Sequence, residues 1–540
     1  MESARYAFGL LFAFLATACG ADVKHEADSP APSVDVVDIV LLDVPMDFSP
    51  GETADSFTEI VAPPPELQLL APPFVLLDHP FPVVLRVPAG DHVDVFASGE
   101  ATLFIDSPDI SFPDLTVRRG VASATLLPVI DGEHILVAGG LGQGDRPIEF
   151  GVHKCGQELT GTLEGEHLLW SSCVHLIGDV VVPIGKTLTV EPGTMVMLEH
   201  KVNIYVLGEV HCMGDEMAPI WFTSYTDLPW GGVIHEESAG SYAFTFFTNG
   251  GGDSKHNFGH SSSQPVLFVR DGEMTLDNVF LLDNPGKALG AKNSEVTVTR
   301  SLISRCDTGG EFEHTRLSMA DCHVLEIPNA DDETQDDDND GIYLLGVHDE
   351  VPADSAGSTI VRSVFAVGKD DGIDHNGAAL MVEDCFIEQF HHEGIACSNK
   401  NWAHIANTLV RGCGQGIEAG YGSPEVVIDH CTLTENSVGI RLGDSYEDEV
   451  SGTITMTNSI AVLNSAHNVW NFSRQDNGPL ADHVSINFSM VDSPQWDDKE
   501  NNIGGVPLFQ PDYTLAPGSP GLLAGADGSD VGYSVWVLED

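Results

Sequence analysis

The sequence predicts an all-β protein: a right-handed parallel β-helix preceded by a small antiparallel β-sandwich. Three observations carry that expectation. The first is self-similarity at a spacing of 22 to 23 residues. MVEDCFIEQFHHEGIAC (381–397), IANTLVRGCGQGIEA (405–419) and IDHCTLTENSVGIRL (428–442) repeat one order of apolar, polar, small and apolar residues, closed by Gly-Ile. The second is the set of columns this creates. A small residue recurs at Ser301, Cys322, Ser363, Cys385, Thr408, Cys431 and Ser459, and an isoleucine at Ile342, Ile373, Ile395, Ile417 and Ile440. The third is that no helical period runs through 270–470, which removes a helical solenoid. A fixed repeat of this length means stacked units, each burying its apolar face against its neighbours.

Within one repeat, apolar residues stand three before the small position (Val298, Met319, Ile360, Val382, Ile405, Ile428, Met456) and two after it (Ile303, Val324, Phe365, Ile387, Val410, Leu433). Side chains alternate along a strand with period two, so an odd offset between two inward columns requires a bend. The bend residues are Asn278, Asp321, Asp384, Asn407, His430 and Asn458, types that tolerate left-handed backbone, with Arg300 and Arg362 as exceptions. The Gly before each Ile marks a second corner. Short strands joined by corners describe a coil whose turns lie about 4.8 Å apart.

VHLIGDVVVPIGKTLTVEPGTMVM (174–197) resembles the opening coils of bacterial β-helix proteins, and GGVPLFQPDYTLAPGSPGLLAGADGSDVGY (504–533) is similar to their closing segment. The central coils resemble the generic parallel β-helix repeat of the pectate-lyase-like superfamily. This resemblance implies a fold, and the fold carries many activities.

The ends divide the chain further. Residues 1–19 read as an export signal: Arg5, an apolar run from Tyr6 to Ala18, then Cys19. LATAC (15–19) resembles a bacterial lipobox, with Ala16 where Leu is usual, which implies lipidation at Cys19 and anchoring to the cell envelope, at the outer membrane or cell surface. Residues 20–65 mix Asp, Glu, Pro, Ser and Ala, a composition that cannot order itself and suits a tether. Residues 66–152 alternate as strands with Gly-rich turns but lack the repeat, which predicts the β-sandwich, acting as a spacer or ancillary module. The β-helix is expected over 153–503 and the closing segment over 504–540. Membrane contact is expected through the lipid alone.

A formal charge of −59 excludes nucleic acid as a partner, because phosphates would be repelled. Of the ten cysteines, Cys155 and Cys173 bracket the entry to the coil and are expected to form a disulfide. Cys322, Cys385 and Cys431 lie in the inward small column and are expected as buried thiols.

Two constellations carry chemistry. DDETQDDDNDGIYL (331–344) sits in an insertion that separates Cys322 from Ser363 by 41 residues. Asp336, Asp338, Asp340 and Gly341 form the first half of a calcium loop, oxygen ligands at alternating positions before a sharp turn. Val347 stands where the closing Glu belongs. Calcium is the expected ion, set against a solvated acidic loop. The second constellation comes from stacking the Gly-Ile corners. Before Gly lie Asp340, Asp371, Glu393 and Gln415; after Ile, pointing outward, lie Tyr343, Asp374, Ala396, Glu418 and Arg441. Asp371 and Glu393 become neighbours at about 4.8 Å, where two carboxyls share a proton or hold a metal. With Asp374 and His392 beside them they form a candidate catalytic group; Trp402, Tyr421, Glu418 and Arg441 are candidate substrate contacts.

NDGI (339–342), KDDGID (369–374), HHEGI (391–395) and GIRLG (439–443) are also weakly similar to the motifs of polygalacturonase-type glycoside hydrolases. That likeness implies Asp340, Asp370 and Asp371 as acid/base carboxylates, His392 as a supporting His and Arg441 as a subsite cation. No Thr precedes Asp340, Lys369 replaces a Gly, and no Lys follows Arg441. Two readings stay open: a surface enzyme that cleaves polysaccharide as a lyase or hydrolase, or a non-catalytic rod that binds cell-surface glycan or stiffens the envelope. The sequence sets no oligomeric state.

Overall fold

The computed structural model describes residues 66–105, 111–128, 130–151, 155–327, 338–346, 357–444, 451–472, 483–493, 496, 499 and 501–536. From Gln157 to Val491 the chain winds as a right-handed parallel β-helix, each strand pairing in parallel with its equivalent one coil on. The only helical turn among the described residues is the 3-10 turn Ser254–His256.

The bend residues do what their types allow. Asn278, Asp321, Asp384, Asn407, His430 and Asn458 all have φ between 41° and 57°. Arg300 and Arg362 are left-handed too, at 49° and 46°, each tied to an aspartate of the previous coil: Asp277 at 2.6 Å and Asp321 at 2.9 Å. The glycines before Ile serve a different purpose from the one expected. Their φ is not left-handed; a Cβ on Gly341, Gly372 or Gly416 would lie 2.4–2.5 Å from the carbonyl oxygen of the next coil's glycine. They permit close stacking. In the small column, the Ser301, Ser363, Thr408 and Ser459 hydroxyls accept the backbone N–H of the preceding coil at 2.9–3.3 Å, which satisfies polar groups inside the core. The thiols of Cys322, Cys385 and Cys431 are buried and outside any disulfide, each donating to backbone carbonyls at 3.1–3.6 Å, and burial pushes each up to about 12. They are inert filling.

Residues 66–151 form two sheets. Gln68–Leu70, Phe81–Arg86 and Val121–Leu126 pair antiparallel; the second holds Phe74–Leu76, Gly144–Gly151, Gly132–Gly139, Gly99–Ile105 and Ser111–Val117. The spacer role does not fit their placement, because they share one apolar core with the flank of the β-helix. The residue after each small position points outward on that flank, giving the ladder Met195, Trp221, Phe246, Phe280, Leu302, His323, Val364, Phe386 and Leu409, all 4% exposed or less. So much outward apolar surface must be covered. Arg86 lies over Phe280 at 4.9 Å and donates to Asn278 Oδ1 at 2.7 Å; Arg119 lies over Phe386 at 3.8 Å and pairs with Glu388. The closing segment covers the remainder, donating from Gly532 to Asn458 O, Tyr533 to Thr432 Oγ1 and Ser534 to Asn407 Oδ1 at 2.7–3.0 Å. Cys155 and Cys173 are bonded, their Cα atoms 4.7 Å apart. Cys19 lies outside the described residues.

Candidate functional site

The site is built on the stack Ile342–Leu345, Ile373–Asn376, Glu393–Ser398, Gln415–Ala419 and Val438–Leu442. Ile342, Ile373, Ile395, Ile417 and Ile440 stand in register inside, so period-two alternation sends their successors out. Tyr343, Asp374, Ala396, Glu418 and Arg441 form one outward column, as the alternation requires, and Trp470 of His467–Asn471 continues it.

One corner earlier, Asp371 and Glu393 meet on adjacent coils. Glu393 N donates to Asp371 Oδ1 at 2.8 Å, and the two carboxyls share a hydrogen bond. Both are nearly buried, at 7% and 6% exposed. Glu418 bonds Glu393 from the other side, so three carboxyls form one row. Burial, then the Glu393 charge, raises Asp371 well above the carboxylate range, and Glu418 likewise. Burial would also raise Glu393, but the hydrogen bonds from Asp371 and Glu418, with the charges of His392 and Arg441, outweigh it and hold Glu393 low. Arg441 reaches Glu418 at 2.8 Å and Glu393 at 3.5 Å. The shorter contact suggests that Glu418 carries the charge; its burial beside Glu393 argues the opposite, and we assign the negative charge to Glu393. Gln415 Nε2 donates to the same carboxylate.

His392 stands at the rim, its side chain 59% exposed, with Nδ1 2.9 Å from Asp370 Oδ1 and 3.5 Å from Glu393 Oε2. The Asp370 hydrogen bond raises it to about 9 against partial burial. It is protonated at neutral pH. Asp370, Asp371 and His392 each offer a donor atom, all within 4.8 Å of one another. Calcium prefers an all-oxygen set, which these two carboxylates and one imidazole are not. Asp374, half-buried in the column, is raised to about 8 by burial and by the charges of Asp370 and Glu393. His375 points inward, fully buried, and burial lowers it to about 4, so it is no proton carrier for the groove.

The opposite rim is a polar ladder: Asn376 donates to Tyr343 Oη at 2.8 Å, Asn399 donates to Asn376, and Asn399 approaches Tyr421 Oη at 3.5 Å. Tyr421 is therefore a rim residue. Trp402 is not: at 8% exposed and packed on His404 at 4.6 Å, it offers no face to a sugar. Arg441 is spent on two carboxylates and on the Phe472 ring, 5.0 Å away, so the subsite cation expected there is already neutralised. Of the calcium loop, Asp336 lies outside the described residues. Asp338 pairs with His260 at 2.7 Å, and Asp340, 3% exposed, accepts from Asp371 N at 3.3 Å. A cavity of about 1020 Å³ lies away from all of this, between the N-terminal sheets and the 216–217 turn; its buried Arg146 is spent on the carbonyls of Ala71, Glu216 and Met217.

Sequence reasoning missed Asn376, Asn399 and Trp470. The first two follow outward positions by two and three residues; the third lies in register with Arg441 although its coil lacks Gly-Ile.

Fold and repeat define a right-handed parallel β-helix protein. Residues 333–481 match the family described as "Right handed beta helix region". No curated protein matches the chain by sequence. Among solved structures the chain is similar to the PL6 family alginate lyase AlyGC, at 11% identity over 67% of this chain and 59% of that one, TM-score 0.32. It is similar to the PL6 family polysaccharide lyase Pedsa3628 from Pseudopedobacter saltans, at 12% over 68% and 96%, TM-score 0.27. It is also similar to the catalytic unit of a GH87 alpha-1,3-glucanase from Streptomyces thermodiastaticus, at 11% over 76% and 89%, TM-score 0.20.

Proposed function

We propose that the groove over Asp371, Glu393 and Glu418 binds a polysaccharide and cleaves it by acid/base chemistry, as a lyase or a hydrolase. One arrangement carries the reading: Asp371, Glu393 and Glu418 form a single hydrogen-bonded row beneath the exposed His392, whose Nδ1 lies 2.9 Å from Asp370 and 3.5 Å from Glu393. Within that row burial pushes Asp371 and Glu418 up, while their hydrogen bonds hold Glu393 down against its own burial. Groups pushed apart in this way mark a base beside an acid. Asp371 and Glu393 touch, so they cannot flank a glycosidic bond as separate acid and nucleophile, which takes roughly 5–9.5 Å. They act as one proton-sharing unit. Glu393 is the base, taking a proton from water or from a sugar carbon. His392, charged and exposed, gives a proton to the leaving oxygen, and Asp370 positions it. Product release on a polysaccharide panel tests the reading.

A non-catalytic glycan-binding rod is the second reading, favoured by the 6–7% exposure of the carboxyl row. It predicts binding without product.

Calcium at Asp336, Asp338 and Asp340 is a separate part of the proposal, the ion joining the Asp338 carboxylate beside its His260 partner at 2.7 Å rather than replacing it. The melting midpoint should then rise with calcium and fall with chelator, since binding to the folded state alone must stabilise it. An unchanged melt removes the ion. Display at the cell envelope rests on Cys19; metabolic palmitate labelling should mark the wild type and not Cys19→Ser.

A further inference from the structure

We infer that the groove is closed at its Tyr343 end by the segment 249–264, and that it therefore accepts the end of a glycan chain and releases short products from that end. The inference rests on the proposed glycan site and adds a specificity determinant to it.

The segment is an insertion at the corner that precedes the outward column. Sixteen residues separate Thr248 from Pro265, whereas two separate Asn284 from Lys287 and three separate Cys306 from Gly310. Its base is closed by Gln264, which accepts from Asp253 N at 2.6 Å and donates to Asn203 Oδ1 at 2.8 Å. Its tip is held from below by Glu311, an outward member of the column, which accepts the backbone N–H of His260 at 2.6 Å and Ser261 at 2.8 Å. Lys287 pairs with Glu311 at 2.6 Å and donates to Phe258 O. Lys287 and Glu311 are 0% and 2% exposed, so the pair is sealed by the strap it holds. Gly259 sits on that carboxylate with φ +72°, and a Cβ there would lie 1.4 Å from Glu311 Oε2; a Cβ on Gly290 would lie 2.4 Å from Pro265. This contact is built, and its position is determined.

The consequence shows along the column. Phe268, Glu311 and Tyr343 point outward yet are 6%, 2% and 7% exposed. His260 lies flat on the Tyr343 ring, centroids 5.3 Å apart at 12°, and is fixed by Asp338. Beyond Tyr343, among the described residues, Asp374, Ala396, Arg441 and Trp470 are half-buried rather than roofed by a strap, and Glu418, 6% exposed, is covered by its partner Arg441 at 2.8 Å. A chain lying along the coils thus meets a wall at His260 and Tyr343, while in the other direction the column continues, among the described residues, past Arg441 to Trp470. Asp371 and Glu393 lie one to two coils from the wall, roughly 5–10 Å, which leaves room for a sugar ring or two.

The test uses the panel polymer that the wild type cleaves, or binds most tightly if it releases no product. Oligosaccharides are prepared with a bulky cap on one end or the other. Capping one particular end should lower kcat/KM, or affinity for a binder, by roughly 100-fold, the cost of misplacing a substrate at a fitted site, while capping the other leaves it little changed. Polymer viscosity should fall slowly relative to product release, with products of one or two units. Tolerance of both caps, or early viscosity loss, overturns the inference while leaving the glycan site standing. Absence of both turnover and binding overturns the site reading, and the inference falls with it. His260→Ala, a surface change, supplies a second readout: the penalty for the capped end should shrink, and an unchanged penalty would remove the wall as its cause.

Discussion

Replacing Glu393 by Gln is expected to lower turnover by about 10²–10⁴-fold, the usual contribution of a positioned base, with the fold intact. Gln keeps the shape and still accepts a hydrogen bond from Asp371, but it cannot take up a proton. The Arg441 guanidinium, 2.8 Å from Glu418, retains a carboxylate partner that can ionise in its place. The melting midpoint should therefore shift little while product release collapses. The same site fixes a pH dependence. His392 is raised to about 9 because it donates to Asp370. A group raised in this way is protonated below its folded value, so turnover that needs its proton is lost as pH rises through about 9. Asp370→Asn should move that limb down towards the ordinary imidazole value, about 6.5. A limb that stays in place would show that His392 is not the acid.

Phe386→Ala is expected to destabilise the folded chain by about 3–5 kcal/mol, the range for a large aromatic removed from a packed core. Phe386 points out of the coil, yet is 0% exposed. Arg119 of the N-terminal sheets stands over its ring, Phe96 meets it edge-on at 5.7 Å, and Trp536 and Tyr533 of the closing segment lie at 4.9 and 5.6 Å. Three parts of the chain meet on one ring. Denaturant melts should show the loss, while Met381→Ala, 36% exposed, should stay within about 0.5 kcal/mol. A loss below about 1 kcal/mol at Phe386 would mean that the N-terminal sheets fold independently of the rod.

The inward columns and the outward Tyr343–Arg441 column were legible because strand alternation leaves no choice once Ile is placed inside. The contact of Asp371 with Glu393 followed from register alone. The apolar flank is written just as plainly, in the residue after each small position, a column that lies between the two inward ones and forms no part of their pattern. They demand a cover, which is why residues 66–151 lie against the coil instead of spacing it. Trp402 opens the next strand, Trp402–Ala406, and packs on His404 there instead of reaching the Gly-Ile face. The strap carries no repeat at all. Its meaning comes from Glu311 and Lys287, ordinary charges in sequence that become significant only when stacked beneath Gly259. The acidic run at 331–340 showed its charge but not that Asp340 would turn towards Asp371.

The account stands on three circuits of the coil delivering their carboxyls to a single proton-sharing row. The most direct measurement is a double-mutant cycle in product release, with Asp371→Asn, Glu393→Gln and both together. Groups that act as a unit are not additive, so the double variant should lose little more than Glu393→Gln alone. Losses that simply add, or wild-type turnover in the double variant, would contradict it.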